Sequence, residues 1–396
     1  SKYTIQRSFL MIHLLLVIIY IAFISLGLPD SILGSAWPSM YGELNVPFSY
    51  AGFISMIIAA GTIVSSFFSE RLIRRLGTGR VTALSVAVTA IALFGFSFSH
   101  SYFMLCLWGI PYGLGGGCVD AALNNYVALH YKSRHMSWLH CFWGIGATLG
   151  PYFMGLCLTN GLLWNSGYRA IGTFQVVLVA CLVFSLPLWK SNQAHTESDS
   201  QPSRSLKVTD TLKLPGAKAV LLSFFCYCAL EATTGLWASS YLVLHRGLSA
   251  TVAAKWASLF YLGITAGRFL CGFITEKLGD RNMVRLGQGI ALLGALLLLT
   301  PLGNVSALAG LIMIGLGCAP VYPCLLHETP DNFGAERSQS IMGMQMACAY
   351  VGTTLMPPAF GLIAEHIHVG LYPVFLMIFV VIMFFMTEKV NRTTGK

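Results

Sequence analysis

Charge is what this 396-residue chain has least of: 10% of its residues are Asp, Glu, Lys or Arg, against 56% hydrophobic. A water-soluble domain carries roughly 25% charged residues, so a soluble globular fold is excluded. The chain also lacks the patterns that intramembrane catalysis or direct ATP drive would need. It has no His-Glu-x-x-His helix, no Ser/Lys or Ser/His dyad, no pair of catalytic carboxylates and no phosphate-cradling Gly-Lys loop. The 11 cysteines, from Cys106 to Cys348, all fall in apolar runs without metal-ligand spacing or an extracellular disulfide framework. They read as small hydrophobes. His366-Ile-His368 is a two-histidine cluster, too sparse for a metal site, so neither a metal nor an organic cofactor is expected.

What the sequence does have is apolar length. Crossing a bilayer as a helix takes about 20 apolar residues, and twelve runs qualify, from 9–40 and 48–69 through 306–327 and 338–364 to 370–387. They are continuous rather than alternating in polarity, which predicts an all-α membrane protein with twelve transmembrane helices. The first run is too long for a signal-peptide core and meets no small-residue cleavage site before Pro29-Asp30. Of the 24 basic residues, all but Arg169, Arg246, Lys255 and Arg268 fall at the termini or in loops after even-numbered helices. Both termini are therefore expected in the cytoplasm, and the net charge of +9 reads as a topology signal rather than a nucleic-acid footprint.

The longest polar stretch divides the chain into an N-terminal six-helix bundle (1–190), a flexible cytoplasmic loop (191–215) and a C-terminal six-helix bundle (216–396). The two bundles echo each other. Asp30-Ser-Ile-Leu-Gly34 followed by Trp37 and Tyr41 corresponds to Glu231-Ala-Thr-Thr-Gly235 followed by Trp237 and Tyr241. Gly61 and Glu70-Arg71-Leu72 correspond to Gly267 and Glu276-Lys277-Leu278, Gly113-Leu-Gly to Gly315-Leu-Gly, and Gly146–Pro151 to Gly352–Pro357. The offsets are 201, 206, 202 and 206. A duplicated six-helix unit with two facing pseudo-symmetric bundles is a secondary-transporter architecture.

Three acids interrupt the apolar runs: Asp30, Asp120 and Glu231. An ionised carboxylate at mid-helix costs about 2.5 to 3.5 kcal/mol on insertion, so each reads as functional by default. The structural alternative is an ion pair with Arg268 or a hydrogen bond to Ser or Asn, but one arginine cannot neutralise acids on three helices. Helical spacing places Asp30, Gly34, Trp37 and Tyr41 on one face, and Gly113, Gly116, Asp120 and Asn124 on another.

The basic loop Glu70-Arg-Leu-Ile-Arg-Arg-Leu-Gly-Thr-Gly-Arg80 and its echo Glu276-Lys-Leu-Gly-Asp-Arg281 resemble the signature loop of the major facilitator superfamily, and the resemblance extends over essentially the whole chain. Asp30, Asp120-Ala-Ala-Leu-Asn124 and Tyr227-Cys-Ala-Leu-Glu231 are similar to patterns of its fucose/galactose/glucose:proton symporter group, which includes sodium-coupled glucose carriers. The resemblance implies alternating-access symport of a monosaccharide-like solute with a proton. Asp30 and Asp120 would be the coupling and substrate-linked acids, and Glu231 a third contributor or the site of sodium coupling.

A sugar site needs hydrogen-bonding groups against an aromatic wall. The candidates are Asn124, Asn125, His140, Tyr322 and Gln345, with Trp37, Trp143 and Trp237 as walls. Asn124 matches the group's motif residue, whereas His140 stands where fucose permeases carry a glutamine, and Gly27-Leu-Pro precedes Asp30 where they carry asparagines. L-Fucose itself is therefore not implied. The tryptophans also fit a packing or interfacial role, and His140 an interfacial one. The superfamily analogy further implies a cytoplasmic gate involving Glu70, Arg71, Arg80, Arg268, Glu276 and Arg281.

Three alternatives stay open: sodium coupling, a non-transporting membrane sensor, and proton-driven efflux of drugs or metabolites. Gly146-Ala-Thr-Leu-Gly150-Pro151 resembles an antiporter motif and keeps efflux in view. The expected partners are a small solute and the lipid bilayer of the cell membrane, with no nucleic acid, and the chain is expected to act as a monomer.

Overall fold

A computed structural model describes residues 2–131, 133–192, 207–334 and 337–395. Helices account for almost all of it: α1 (Lys2–Asp30), α2 (Ile32–Met40), α3 (Ala51–Leu76), α4 (Thr78–Ser97), α5 (Tyr102–His130), α6 (Ser133–Thr159), α7 (Trp164–Phe184), α8 (Leu186–Asn192), α9 (Val208–Leu212), α10 (Ala217–Leu244), α11 (Ala250–Leu278), α12 (Asp280–Leu299), α13 (Asn304–Phe333), α14 (Ser338–His366) and α15 (Tyr372–Thr393). Among the described residues there is no strand, and twelve stretches are long and apolar enough to cross a membrane. Helices suit that setting because each satisfies its own backbone hydrogen bonds where water is absent.

The chain groups into two compact units, one of residues 1–32 and 57–200, the other of 33–56 and 201–396. The expected division at 191–215 differs in one stretch. Leu33–Met56, which holds α2 and the first turns of α3, belongs with the second unit. Most of the expected flexible loop, 193–206, lies outside the described residues, and its flanks are helical in α8 and α9.

In the first unit α1 packs on α6, and α4 on α5 and α7. Its core joins Leu15, Ile19 and Phe23 of α1 to Leu123 and Val127 of α5, Leu139 of α6 and Leu182 of α7. In the second unit α10 packs on α14 and α15, and α13 on α11 and α12.

Close helix approach, rather than a hydrophobic driving force, holds helices together in lipid, and small residues permit it. The same approaches recur in both units. Gly113 lies against the Ile58 carbonyl of α3, and Gly315 against the Phe260 carbonyl of α11. Gly115 lies against the Ser85 carbonyl of α4, and Gly317 against the Gly287 carbonyl of α12. Gly61 packs on Gly113 as Gly263 packs on Gly315. Each pair is separated by 202 positions, which corrects the expected register: the counterpart of Gly61 is Gly263, not Gly267.

The loop correspondence shifts in the same way. Helix α3 ends at Leu76 and α11 at Leu278, each followed by a single linking glycine in the left-handed region, Gly77 (φ 85°) and Gly279 (φ 79°). Glycine adopts that conformation without a Cβ penalty. Glu276 therefore aligns with position 74 rather than with Glu70. The α1–α6 and α10–α14 approaches keep the expected offsets, with Gly146 against the Ile24 carbonyl and Gly352 against that of Phe225.

The loop-bearing end of the second unit is tied by Arg285 at the start of α12, whose Nε and Nη2 donate to the two oxygens of Glu388 in α15 at 2.6 and 3.1 Å. The arginine side chain is 46% exposed, so water and salt screen the pair. Arg285→Ala is expected to cost less than about 1 kcal/mol, read as a small drop in melting temperature in detergent that vanishes at high salt.

Candidate functional site

Asp30 stands at a break in the first span. Pro29 has no N–H, so the Ser25 carbonyl four residues earlier loses its helical donor. Buried Gln175 of α7 replaces it, its Nε2 donating to Ser25 O at 2.5 Å. The chain turns at Ser31 and restarts as α2 at Ile32, and the Tyr112 hydroxyl of α5 donates to the Pro29 carbonyl. The Asp30 carboxylate is exposed, and the Trp143 indole N–H of α6 donates to its Oδ2 at 3.1 Å. Asp30 is thus an accessible acid on a broken helix, the arrangement by which membrane carriers present ion and solute ligands.

The break also corrects the expected Asp30, Gly34, Trp37, Tyr41 face. Beyond Ser31 the residues turn inward within the second unit. A Cβ on Gly34 would meet the Gly235 carbonyl at 2.7 Å, so this glycine packs on its own repeat counterpart. Trp37 is 0% exposed and donates to Phe48 O at 2.5 Å; Trp237 is 1% exposed and donates to Pro357 O at 2.8 Å. Both rings are buried among the side chains of the second unit.

The fourth span behaves closer to expectation. Asn124 lies one turn beyond Asp120 on α5 and donates its amide to Asp120 Oδ1 at 2.7 Å and to Asp120 O at 3.0 Å. Both residues are half-buried. Gly116 opens the same face, since a Cβ there would find only Leu26 Cδ1, at 3.9 Å. Gly113 is committed to α3. His140, half-buried on α6, stands edge-on to Phe23 with ring centroids 6.1 Å apart. The side chain of Asn125 lies outside the described residues.

The second unit has its own polar cluster. Half-buried Glu231 of α10 and Arg268 of α11 both act electrostatically on Tyr227, Cys228 and Cys318, and Arg268 Nη2 donates to the Tyr227 hydroxyl at 3.4 Å. Tyr322 of α13 packs on Phe224 and Tyr227, 5.4 and 5.5 Å between ring centroids. Arg268, expected at a gate, lies in this cluster with Glu231. Gln345 is 0% exposed and exchanges hydrogen bonds with Thr329, with its Nε2 3.2 Å from Oγ1.

A profile of the Major Facilitator Superfamily matches residues 19–357 and again 219–393. The chain belongs to that superfamily. It is a multi-pass membrane transporter and not an enzyme. Among curated proteins it is similar to "Bypass of stop codon protein 6" of Saccharomyces cerevisiae, 22% identical over 91% of this chain and 79% of the relative. It is 23% identical to the glucose/mannose transporter GlcP of Bacillus subtilis, over 78% of this chain and 77% of the relative. It is 23% identical to the human sodium-dependent glucose transporter 1, over 67% of this chain and 58% of the relative.

Of the residues expected at a gate, Arg71, Arg80 and Glu276 are exposed, and the Glu70 side chain lies outside the described residues. Among the described residues Glu276 has no ion-pair partner. The contact lies four residues on, where Asp280 Oδ2 meets His327 Nδ1 of α13 at 2.5 Å. Beside it half-buried Arg281 acts on Glu328, which lies one residue past the apolar run 306–327. Helical continuation to Phe333 puts that acid inside the span.

Proposed function

We propose that this transporter carries a monosaccharide-like solute together with a proton by alternating access, with Asp30 as the coupling carboxyl and Asp120–Asn124 as the solute-linked pair. The observation that carries the reading is Asp30 itself, an exposed acid at an interrupted helix, oriented by Trp143. A carboxyl so placed loads a proton when dry and releases it when wetted. Asn124, His140 and the Trp143 ring, all in the first unit, supply hydrogen-bonding groups and an aromatic surface of the kind sugars require. The similarity to two glucose transporters supports the solute class. The basic-residue bias supports a cytoplasmic location for both termini.

Sodium is the second reading for the coupling ion, favoured by the similarity to the human sodium-dependent glucose transporter 1. Efflux loses its motif argument, because Gly146 and its counterpart Gly352 make matching backbone contacts in the two units. A thermal-shift screen of the purified protein against hexoses, deoxyhexoses and cationic drugs, followed by liposome uptake of any hit, tests the reading. A hexose is expected to stabilise the protein and to accumulate under a proton gradient alone. Accumulation under sodium alone selects the second reading, and stabilisation only by cationic drugs rejects both.

A further inference from the structure

Glu328 is 6% exposed at the end of α13, and among the described residues one of its two oxygens, Oε1, has no hydrogen-bond partner. Among those residues the other is reached by the Asn332 amide at 3.4 Å, one turn further along the same helix. Asn332 is in turn bonded by the Thr394 hydroxyl, 3.3 Å from its Oδ1, just beyond α15. A buried carboxylate needs donors for both oxygens or a close cation. Glu328 has neither in full.

The charges around it are of both signs. From α12, Asp280 faces it with negative charge, and Arg281 and Arg285 with positive; His327, its neighbour on α13, adds positive charge when protonated. Arg285 is committed to both oxygens of Glu388 in α15, and Asp280 to His327 of α13. Asp331, also on α13, adds a further negative charge. The charged side chains of α11 at this end, Glu276 and Lys277, are exposed, as are Lys218 of α10 and Arg337 at the start of α14.

We propose that Glu328 is a proton-binding site of the second unit, holding a proton while the end of α13 is packed as here and releasing it when that end opens to water. The neutral acid removes the buried charge that Oε1 leaves uncompensated and the repulsion from Asp280 and Asp331. Release would require a new donor for Oε1, so protonation is tied to the packing of α13 against α12 and to its link through Asn332 to the end of α15. This site is separate from the Asp30 and Asp120 coupling reading and does not rest on it.

The test is infrared spectroscopy of the full chain in lipid nanodiscs at neutral pH. The wild type is expected to show a protonated-carboxyl C=O band that is lost in Glu328→Gln and kept in Asp30→Asn. A wild-type minus Glu328→Gln difference showing only ionised carboxylate overturns the proposal. Should Glu328→Gln not fold, Asp280→Asn gives the answer with Glu328 intact. Loss of the neighbouring negative charge is expected to shift the pH at which the band disappears downward, and an unmoved midpoint overturns the proposal.

Discussion

Asp30→Asn is expected to abolish concentrative uptake while leaving counterflow of labelled solute intact. One proton moved across 100 mV supplies about 2.3 kcal/mol, and about 1.4 kcal/mol corresponds to tenfold in a concentration ratio. A one-proton symporter therefore sustains roughly fortyfold accumulation per 100 mV, and a variant unable to load the proton equilibrates to about onefold. The substitution is nearly isosteric, and the Trp143 indole still finds a side-chain oxygen to donate to, so the broken helix and its Gln175 and Tyr112 supports stay in place. Counterflow, which needs no net proton movement, separates loss of coupling from loss of binding. Asp120→Asn serves as its companion, because the Asn124 amide keeps an acceptor there. Asp30→Asn liposomes that still concentrate solute under a proton gradient would sink the coupling assignment.

Gly113→Ala and Gly315→Ala are expected to destabilise the transporter to a similar degree, because each added methyl overlaps a backbone carbonyl, that of Ile58 in α3 or of Phe260 in α11. Backbone in a packed helix pair cannot rotate away as a side chain can, so the helices must separate. Overpacking of this kind costs about 1 to 3 kcal/mol and occasionally more. Alanine's better helix propensity returns up to about 1 kcal/mol, leaving a net loss. Gly272→Ala in α11 is the control, since a Cβ there meets nothing within 4 Å and only the propensity gain remains. Melting temperatures in one detergent decide the matter. The contact-derived register fails if Gly315→Ala melts with Gly272→Ala while Gly113→Ala does not.

The matching response expected at Gly113 and Gly315 rests on a repeat that was visible in the chain, although its register was not. Sequence spacing paired Gly61 with Gly267 and Glu70 with Glu276 because Gly and Glu recur by chance in apolar and loop segments. Only the packing of Gly61 on Gly113 and Gly263 on Gly315 identifies the related positions. The tryptophans were ambiguous for a similar reason. An aromatic side chain in a bilayer serves equally as core, interface anchor or solute wall, and Trp37 and Trp237 prove to be core. Gln345 looked like a ligand because a polar residue in an apolar run invites one, but its partner Thr329 lies on another helix and was invisible in one dimension.

Composition and run length alone determined the twelve-span, all-helical class, because hydrocarbon permits no other use of continuous apolar segments. Internal spacing determined the duplication, and the cost of intramembrane charge singled out Asp30, Asp120 and Glu231. Tertiary structure decided which polar groups from different helices meet: Asp30 with Trp143, Arg268 with Tyr227 and Gln345 with Thr329. It alone showed Glu328 buried with an unpartnered oxygen. Hydropathy is a property of the residues themselves and is read along the chain, whereas burial and hydrogen-bond satisfaction belong to pairs of residues brought together from different helices, and exist only once those helices are packed.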